Sequence, residues 1–318
     1  MSNTRRIAVT LFSGLGSSSK ALRDLGYEVK AHDFMPEAVA TLTANGFDAV
    51  ECNVNDIDYT TERFAGEVEV LAGGPPCQPF SQSHEGAGRY DERDMIPEFL
   101  RAVAELLPSV FIMEEVQTLT WKKHIDYLEM VEDHMRALGY VVEHRVLNAA
   151  DYFIPQARKR LFVIGVRADV AESPTRRRVL GGAIAWPVKS TTKRTMAEAL
   201  GWSEQDCLER NRQVPDPRAQ VADTDDYAKA LWPLDRPAVT VVGSFRPEVA
   251  AAPGYRVAGD PPRQGTPGSV VTTLTERLIL QDMPTDWVVC GNEQKRDLQV
   301  GNSVPCGLMR ELVDINIP

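Results

Sequence analysis

The chain has 318 residues, of which 43% are hydrophobic and 25% charged, and its formal net charge is −10. This composition is typical of a globular protein rather than a disordered one, and the length predicts a large domain with a smaller companion. No apolar run approaches the roughly 20 residues of a membrane span, and no signal peptide is recognisable. We therefore expect a cytoplasmic protein without a membrane partner, and its acidity argues against a protein that coats nucleic acid indiscriminately.

The cysteines number five, lie far apart and form no CxxC or Cys/His pattern of the zinc-binding type. We expect reduced thiols and no metal. The five are Cys52, Cys77, Cys207, Cys290 and Cys306.

Strand and helix patterns alternate over the first half of the chain. Residues 7–12 predict a buried strand, and a Gly-rich turn then leads into a helix that ends near Gly26. The next strand ends at Asp33, and residues 36–46 have the Pro and Gly of a helix start and end. Further strands are predicted at 68–74, 109–116, 141–148 and 160–166, with helices near 95–107 and 124–138. This alternation predicts an α/β fold with a mainly parallel sheet and helices on both faces.

The rhythm breaks after Arg167, and residues 168–275 predict a second domain. Its first part, 167–200, holds seven basic and three acidic residues, a local net of +4. Because Lys and Arg bind DNA phosphates, we expect phosphate contacts from this stretch, particularly from Arg176, Arg177 and Arg178. The last forty or so residues return to a helical pattern that can pack back on the first domain.

The turn Gly14-x-Gly16 follows a strand and precedes a helix, with Asp33 about 20 positions on. This is the layout of a nucleotide site, in which glycines let a ligand approach the backbone and the acid accepts hydrogen bonds from ribose hydroxyls. Ser19 replaces the third Gly of the dinucleotide fingerprint, which favours a ligand without a pyrophosphate. A tight structural turn is the alternative.

The segment Gly73–Ser81 (GGPPCQPFS) follows another predicted strand, where ligands of open α/β sheets bind. A lone cysteine is usually an inert core residue. Cys77, however, stands in a polar loop that glycines and prolines constrain, which favours a nucleophile.

Two pairs of charged residues lie at the ends of later strands. Glu114 and Glu115 close one strand and point to opposite faces, so only one of them can face a ligand crevice. We also expect Arg158 and Arg160 to differ in facing where another strand begins. Solvated surface charges are the alternative for both pairs.

In this order the segments resemble the motif series of DNA cytosine-5 methyltransferases, over nearly the whole chain. The resemblance implies a Rossmann-like S-adenosylmethionine-dependent methyltransferase domain at 1–185 and 275–318, with a target-recognition domain at 186–274. The matching segments are LFSGLG, AHDF, GGPPCQPFS, MEEV, PQARKRLFVIG, RPAVTVV and LQVGNSVP.

The resemblance also implies roles for single residues. Cys77 is the expected nucleophile at cytosine C6, Glu114 the group that holds and protonates N3, and Arg158 a stabiliser of the activated base. No metal is required. S-adenosylmethionine is expected to contact Phe12, Gly14, Gly16, Asp33, Asn53, Pro75 and Asn302, and the last requires GNSVP to lie beside Gly14.

The expected substrate is a cytosine flipped out of double-stranded DNA, at a short recognition site because the recognition domain is short. We expect a monomer of bacterial or phage origin that has a restriction endonuclease as a possible partner. Three positions depart from the family pattern without removing a catalytic group: Asn53 replaces an Asp, Glu115 the Asn of ENV, and Cys306 a Pro.

Two alternatives remain. The transfer-RNA branch of the family shares the Cys loop, but it usually has PCQPFT and a CFT tripeptide where this chain has PCQPFS and no CFT. A catalytically silent homologue typically loses Cys77, Glu114 or Arg158, and all three are present.

Overall fold

A computed structural model of the chain describes residues 6–64, 67–76, 94–173, 184–203, 237–241 and 272–317. It divides into two compact units. We call the first, Met1–Leu147 with Lys159–Val188 and Cys306–Pro318, the sheet unit, and the other, Asn148–Arg158 with Lys189–Pro305, the second unit. Most of the predicted recognition domain lies outside the described residues, so the predicted domain boundaries stay a prediction.

The strands and helices of the described residues largely follow the predicted order. The strands are β1 Ile7–Leu11, β2 Glu28–Asp33, β3 Asp48–Glu51, β4 Val68–Gly73, β5 Val110–Val116, β6 Tyr140–Asn148, β7 Gln156–Ala157, β8 Lys159–Arg167 and β9 Ala238–Val239. The helices are α1 Ser17–Asp24, α2 Pro36–Ala44, α3 Ile96–Leu106, α4 Ile125–Ala137, α5 Ala168–Ala171, α6 Met196–Leu200, α7 Leu274–Leu280, α8 Glu293–Asn302 and α9 Cys306–Asn316. Within the ranges described, no helix is long and apolar enough to cross a membrane.

The sheet unit contains a seven-stranded sheet of order β3-β2-β1-β4-β5-β8-β6. Strands β1 to β5 are parallel to one another, whereas β8 runs antiparallel to β5. Every residue of β1 is buried, as are six of the seven residues of β5. The predicted α/β fold is therefore confirmed, since apolar runs of this kind are typical of strands covered on both faces.

The order in which successive strands are added to the sheet changes direction at β1. Strands β2 and β3 lie on one side of β1, and β4 and β5 on the other. In open α/β sheets the ligand crevice lies outside the carboxyl ends of the strands at such a switch point. The Gly-rich turn after β1 and residues 74–76 after β4 are thus at the expected place. The C-terminal helix α9 packs against α1 in the same unit, so the chain end does return to this fold.

Candidate active site

The Gly-rich turn after β1 has an unusual backbone. Phe12, Gly14 and Gly16 all have positive φ angles, of 54°, 50° and 86°. Glycine adopts this region without a steric penalty, whereas Phe12 does so at a cost of the kind that accumulates at functional sites. Positive φ angles are therefore concentrated at the switch point, where ligands of open α/β sheets approach the backbone.

Ser19 has a structural explanation. It is fully buried on α1, and its hydroxyl lies 2.8 Å from the Thr10 hydroxyl of β1. Thr10 also pairs with Ser13 at 2.9 Å. The helix is thus held close to the strand by hydrogen bonds rather than by the small size of a third glycine.

Asp33 ends β2 and is fixed by the backbone around it. Its Oδ2 accepts the N–H of Gly14 at 2.7 Å, and its Oδ1 accepts the N–H of Met35 at 2.9 Å. Burial raises the pKa of Asp33, and these backbone donors oppose the rise. A carboxylate has about four lone-pair sites, so each oxygen keeps capacity for a hydroxyl donor. The Gly-rich turn and Asp33 are therefore joined by a hydrogen bond, and their arrangement fits a ribose.

Glu114 lies over Gly74, the residue that follows β4. A Cβ atom placed on Gly74 would lie 2.9 Å from Glu114 Oε2, so a larger residue would require the carboxylate to shift from this position. Arg160 of β8 contacts the other carboxylate oxygen, with its Nε 3.0 Å from Glu114 Oε1. Glu114 is 8% exposed, so its carboxylate is held in a mostly dry position. Glu115 is also buried, and its Oε2 accepts the N–H of Val116 at 3.1 Å.

Cys77 itself lies outside the described residues, but its attachment point does not. The N–H of Met95 donates to the carbonyl oxygen of Pro76 at 3.2 Å. Pro76 and Met95 are therefore held together, two residues beyond Gly74 and its neighbour Glu114.

Arg158 is in the second unit and is 1% exposed. Its Nη1 donates to the carbonyl oxygens of Val241 at 3.1 Å and Gly301 at 2.9 Å. Gln156, also fully buried, donates to Leu280 and accepts from Val241. These two side chains link their own segment to three others that are distant in sequence, at Val241, Leu280 and Gly301. The guanidinium of Arg158 is thus hydrogen-bonded to backbone oxygens.

The sequence family described as C-5 cytosine-specific DNA methylase matches residues 8–232, which include the Gly-rich turn, Asp33, Gly74 and Glu114. The chain belongs to this family.

Relatives of the chain support the same family assignment. The type II methyltransferase M.AplI of Arthrospira platensis is 34% identical over 158 residues, which are 50% of this chain and 45% of that protein. The type II methyltransferase M.HgiDI of Herpetosiphon aurantiacus is 29% identical over 317 residues, 94% of this chain and 90% of that one. The chain thus spans less than half the length of some relatives and nearly all of others.

The fold of the chain is also found among solved structures. A mutant of DNMT2 from Spodoptera frugiperda matches 98% of this chain, and 99% of its own chain is covered, with a TM-score of 0.69. The sequence identity is 15%, so this likeness concerns the fold alone.

The remaining predicted cofactor residues lie in both units of the chain. Pro75 follows Gly74 at the switch point, and Asn53 caps a 3-10 turn by accepting the N–H of Asn55 at 3.1 Å. Asn302 ends α8 in the second unit and is exposed. Its predicted closeness to Gly14 of the sheet unit stays a prediction. Across the described residues, no group of three or more His, Cys, Asp or Glu side chains could hold a metal.

Within the basic stretch 167–200, Arg176, Arg177 and Arg178 lie outside the described residues. Arg167 is already paired with Asp169 at 2.8 Å and with Glu67 at 3.3 Å. Its charge is therefore largely satisfied within the fold. Phosphate contacts from the rest of this stretch stay a prediction.

Two side chains at the candidate active site have no role in the interpretation of the sequence. Phe34 directly follows Asp33 and its side chain is exposed, at 69%. The sequence signal for it is an aromatic residue immediately after the acid. Arg160 contacts Glu114, and sequence alternation alone could not select it over Arg158.

We expect Gly74→Ala to lower the rate of methyl transfer. Gly74 does not have a positive φ angle, so its backbone accepts alanine, but the new methyl group would displace the Glu114 carboxylate. A misplacement of about 1 Å can cost about 10²-fold in rate. Single-turnover methylation and thermal unfolding would be measured together. A variant with normal turnover would show that Glu114 does not need this position.

Proposed function

We propose that the protein is a DNA cytosine-5 methyltransferase, which methylates C5 of a cytosine flipped out of a short duplex site. The observation that carries this proposal is the Glu114 carboxylate seated over Gly74, at the root of the segment that begins with Cys77. A nucleophile and a group for N3 on one crevice wall are what this chemistry needs.

The chemistry begins at Cys77. Cytosine C5 is a poor nucleophile, so the Cys77 thiolate first forms a bond to C6, and the displaced electron pair makes C5 nucleophilic. C5 is then methylated, its proton is lost to a base, and the returning electron pair expels the Cys77 thiolate. Each bond formed to the enzyme is thereby broken again, and the thiol is regenerated.

Glu114 is proposed to hold N3 of the base. Attack at C6 pushes electrons into the ring, and a hydrogen bond or proton at N3 stabilises them. The position of Arg160 beside Glu114 supports a shared role at the base. Arg158 was expected to stabilise the activated base, but its contacts with Val241 and Gly301 favour a positioning role, with Arg160 the better candidate for base contact.

The switch-point crevice fits S-adenosylmethionine, which supplies an electrophilic methyl group when bound. Asp33 would accept the ribose hydroxyls, and the backbone of Phe12, Gly14 and Gly16 would lie against the ligand. The exposed ring of Phe34 is suited to stack on the adenine. Asn53, Pro75 and Asn302 are proposed to complete the pocket.

A base inside a duplex cannot present C6 to a thiol in a crevice, so the target nucleotide must be extruded, at a cost of a few kcal/mol. We propose residues 186–274 as the part that reads the site, and a monomer as the active form. The relatives' name, type II methyltransferase, supports a role in restriction-modification alongside an endonuclease.

The direct test is methyl transfer from radiolabelled S-adenosylmethionine to mixed-sequence duplex DNA and, separately, to transfer RNA. We expect label in DNA at C5 of cytosine, and none in RNA. Label in transfer RNA alone would assign the protein to the RNA-modifying alternative, and label in neither would favour a catalytically silent homologue.

A further inference from the structure

An exposed aromatic and basic patch, Trp121–Lys123, lies close to the candidate active site. Strand β5, which carries Glu114, ends at Val116, and a 3-10 turn over Gln117–Thr120 leads directly to the patch. Helix α4 begins at Ile125, just beyond it. Because β5 ends at the same edge as β1 and β4, the patch belongs to the carboxyl edge of the sheet, where the crevice lies.

The backbone of the patch is fixed on both sides. The N–H of Trp121 donates to the carbonyl oxygen of Thr118 at 3.0 Å, and the carbonyl oxygen of Trp121 accepts the N–H groups of His124 and Ile125 at 2.7 and 3.0 Å. Even so, the side chain of Trp121 is 40% exposed. A large aromatic side chain on a fixed backbone that still faces solvent is typical of a contact surface.

The charges of Lys122 and Lys123 are also unusual in this unit. Both residues are exposed, and Lys123 Nζ lies 6.0 Å from the centre of the Trp121 ring. Among the described residues, neither lysine forms an ion pair. Most of the other described cations of the sheet unit have a carboxylate partner, as in Arg6–Glu69, Lys20–Asp24, Lys30–Asp48, Arg63–Asp48, Arg101–Glu98 and Arg136–Glu132.

We propose that the Trp121–Lys123 patch binds the phosphodiester backbone of the DNA strand that carries the target cytosine. Two unpaired ammonium groups match adjacent phosphates, and an exposed indole offers a flat face to a sugar or an unstacked base. On a chain of net charge −10, unpaired cations at the crevice edge would also draw DNA to this edge rather than to the rest of the surface. The inference rests on the proposed function, in which DNA enters at Glu114.

The test compares two double variants that change the net charge equally. Lys122→Gln/Lys123→Gln removes the unpaired lysines, whereas Lys20→Gln/Arg136→Gln removes two cations that are already paired. Affinity for a fluorescently labelled duplex of mixed sequence would be measured between about 50 and 200 mM salt. Thermal unfolding of both variants would verify that each is folded.

The slope of log affinity against log salt is negative, and each phosphate contact contributes about −0.9 to it. We therefore expect the slope to become less negative by about 1 to 2 in the first double variant. The paired-cation variant should keep the wild-type slope. Trp121→Phe should also remove most of any change in tryptophan fluorescence that DNA causes in the wild type.

If the wild type methylates DNA and the two double variants have equal slopes, the proposal that the patch binds DNA is overturned and the proposed function is unaffected. A wild type that neither binds nor methylates the duplex would overturn both.

Discussion

Cys77→Ser is expected to abolish DNA methylation. The oxygen of serine is a far weaker nucleophile than a thiolate, so the bond to C6 would not form. The measurement is methyl transfer to DNA at saturating S-adenosylmethionine, with Cys290→Ser as the matched control. Cys290 is a partly exposed thiol of the second unit and has no proposed role, so its variant should keep wild-type activity.

A second readout for Cys77 is covalent trapping. DNA with 5-fluorocytosine at the target should form an adduct with the wild type that survives denaturation, because fluorine cannot leave C5 as a proton does. Cys77→Ser should form none, and Cys290→Ser should form it normally. Methylation that persists in Cys77→Ser would contradict the nucleophile assigned here.

The fold could be predicted from the sequence where burial makes the pattern strong. Strands β1 and β5 are buried on both faces, so they appear as apolar runs that no loop would carry. Strand β3, Asp48–Glu51, was not predicted. It lies at the sheet edge and has no buried residue, so its four residues carry no hydrophobic signal.

The active site was less predictable because its partners depend on strand register. Residues two apart in a strand share a face, so the expected alternation of Arg158 and Arg160 was wrong and could not separate them. In the structure β8 begins at Lys159, and Arg158 lies just before it. In the structure β8 runs antiparallel to β5 with Arg160 opposite Val116, which shares a sheet face with Glu114. Arg160 is therefore a diagonal neighbour of Glu114. A one-residue shift would have placed another side chain there, and the sequence does not specify that register.

The roles of the adjacent acids lead to the second large expected effect. Glu114→Gln should lower turnover by about 10² to 10⁴-fold if the carboxyl group delivers a proton to N3, since the amide cannot. Glu115→Gln is the matched control, because Glu115 is the next residue and equally buried but bonds its carboxylate to the N–H of Val116. A larger loss from Glu115→Gln would reverse the assignment.

The two arginines extend this prediction and separate chemistry from positioning. Arg160→Gln removes the ion pair with Glu114 and should lower turnover with little change in unfolding temperature, since its side chain is partly exposed. Arg158→Gln removes buried donors from the carbonyl oxygens of Val241 and Gly301, at about 1 to 3 kcal/mol for each oxygen left unsatisfied. It should therefore lower the unfolding temperature clearly. A fully stable Arg158→Gln with strongly reduced turnover would return the role at the base to Arg158.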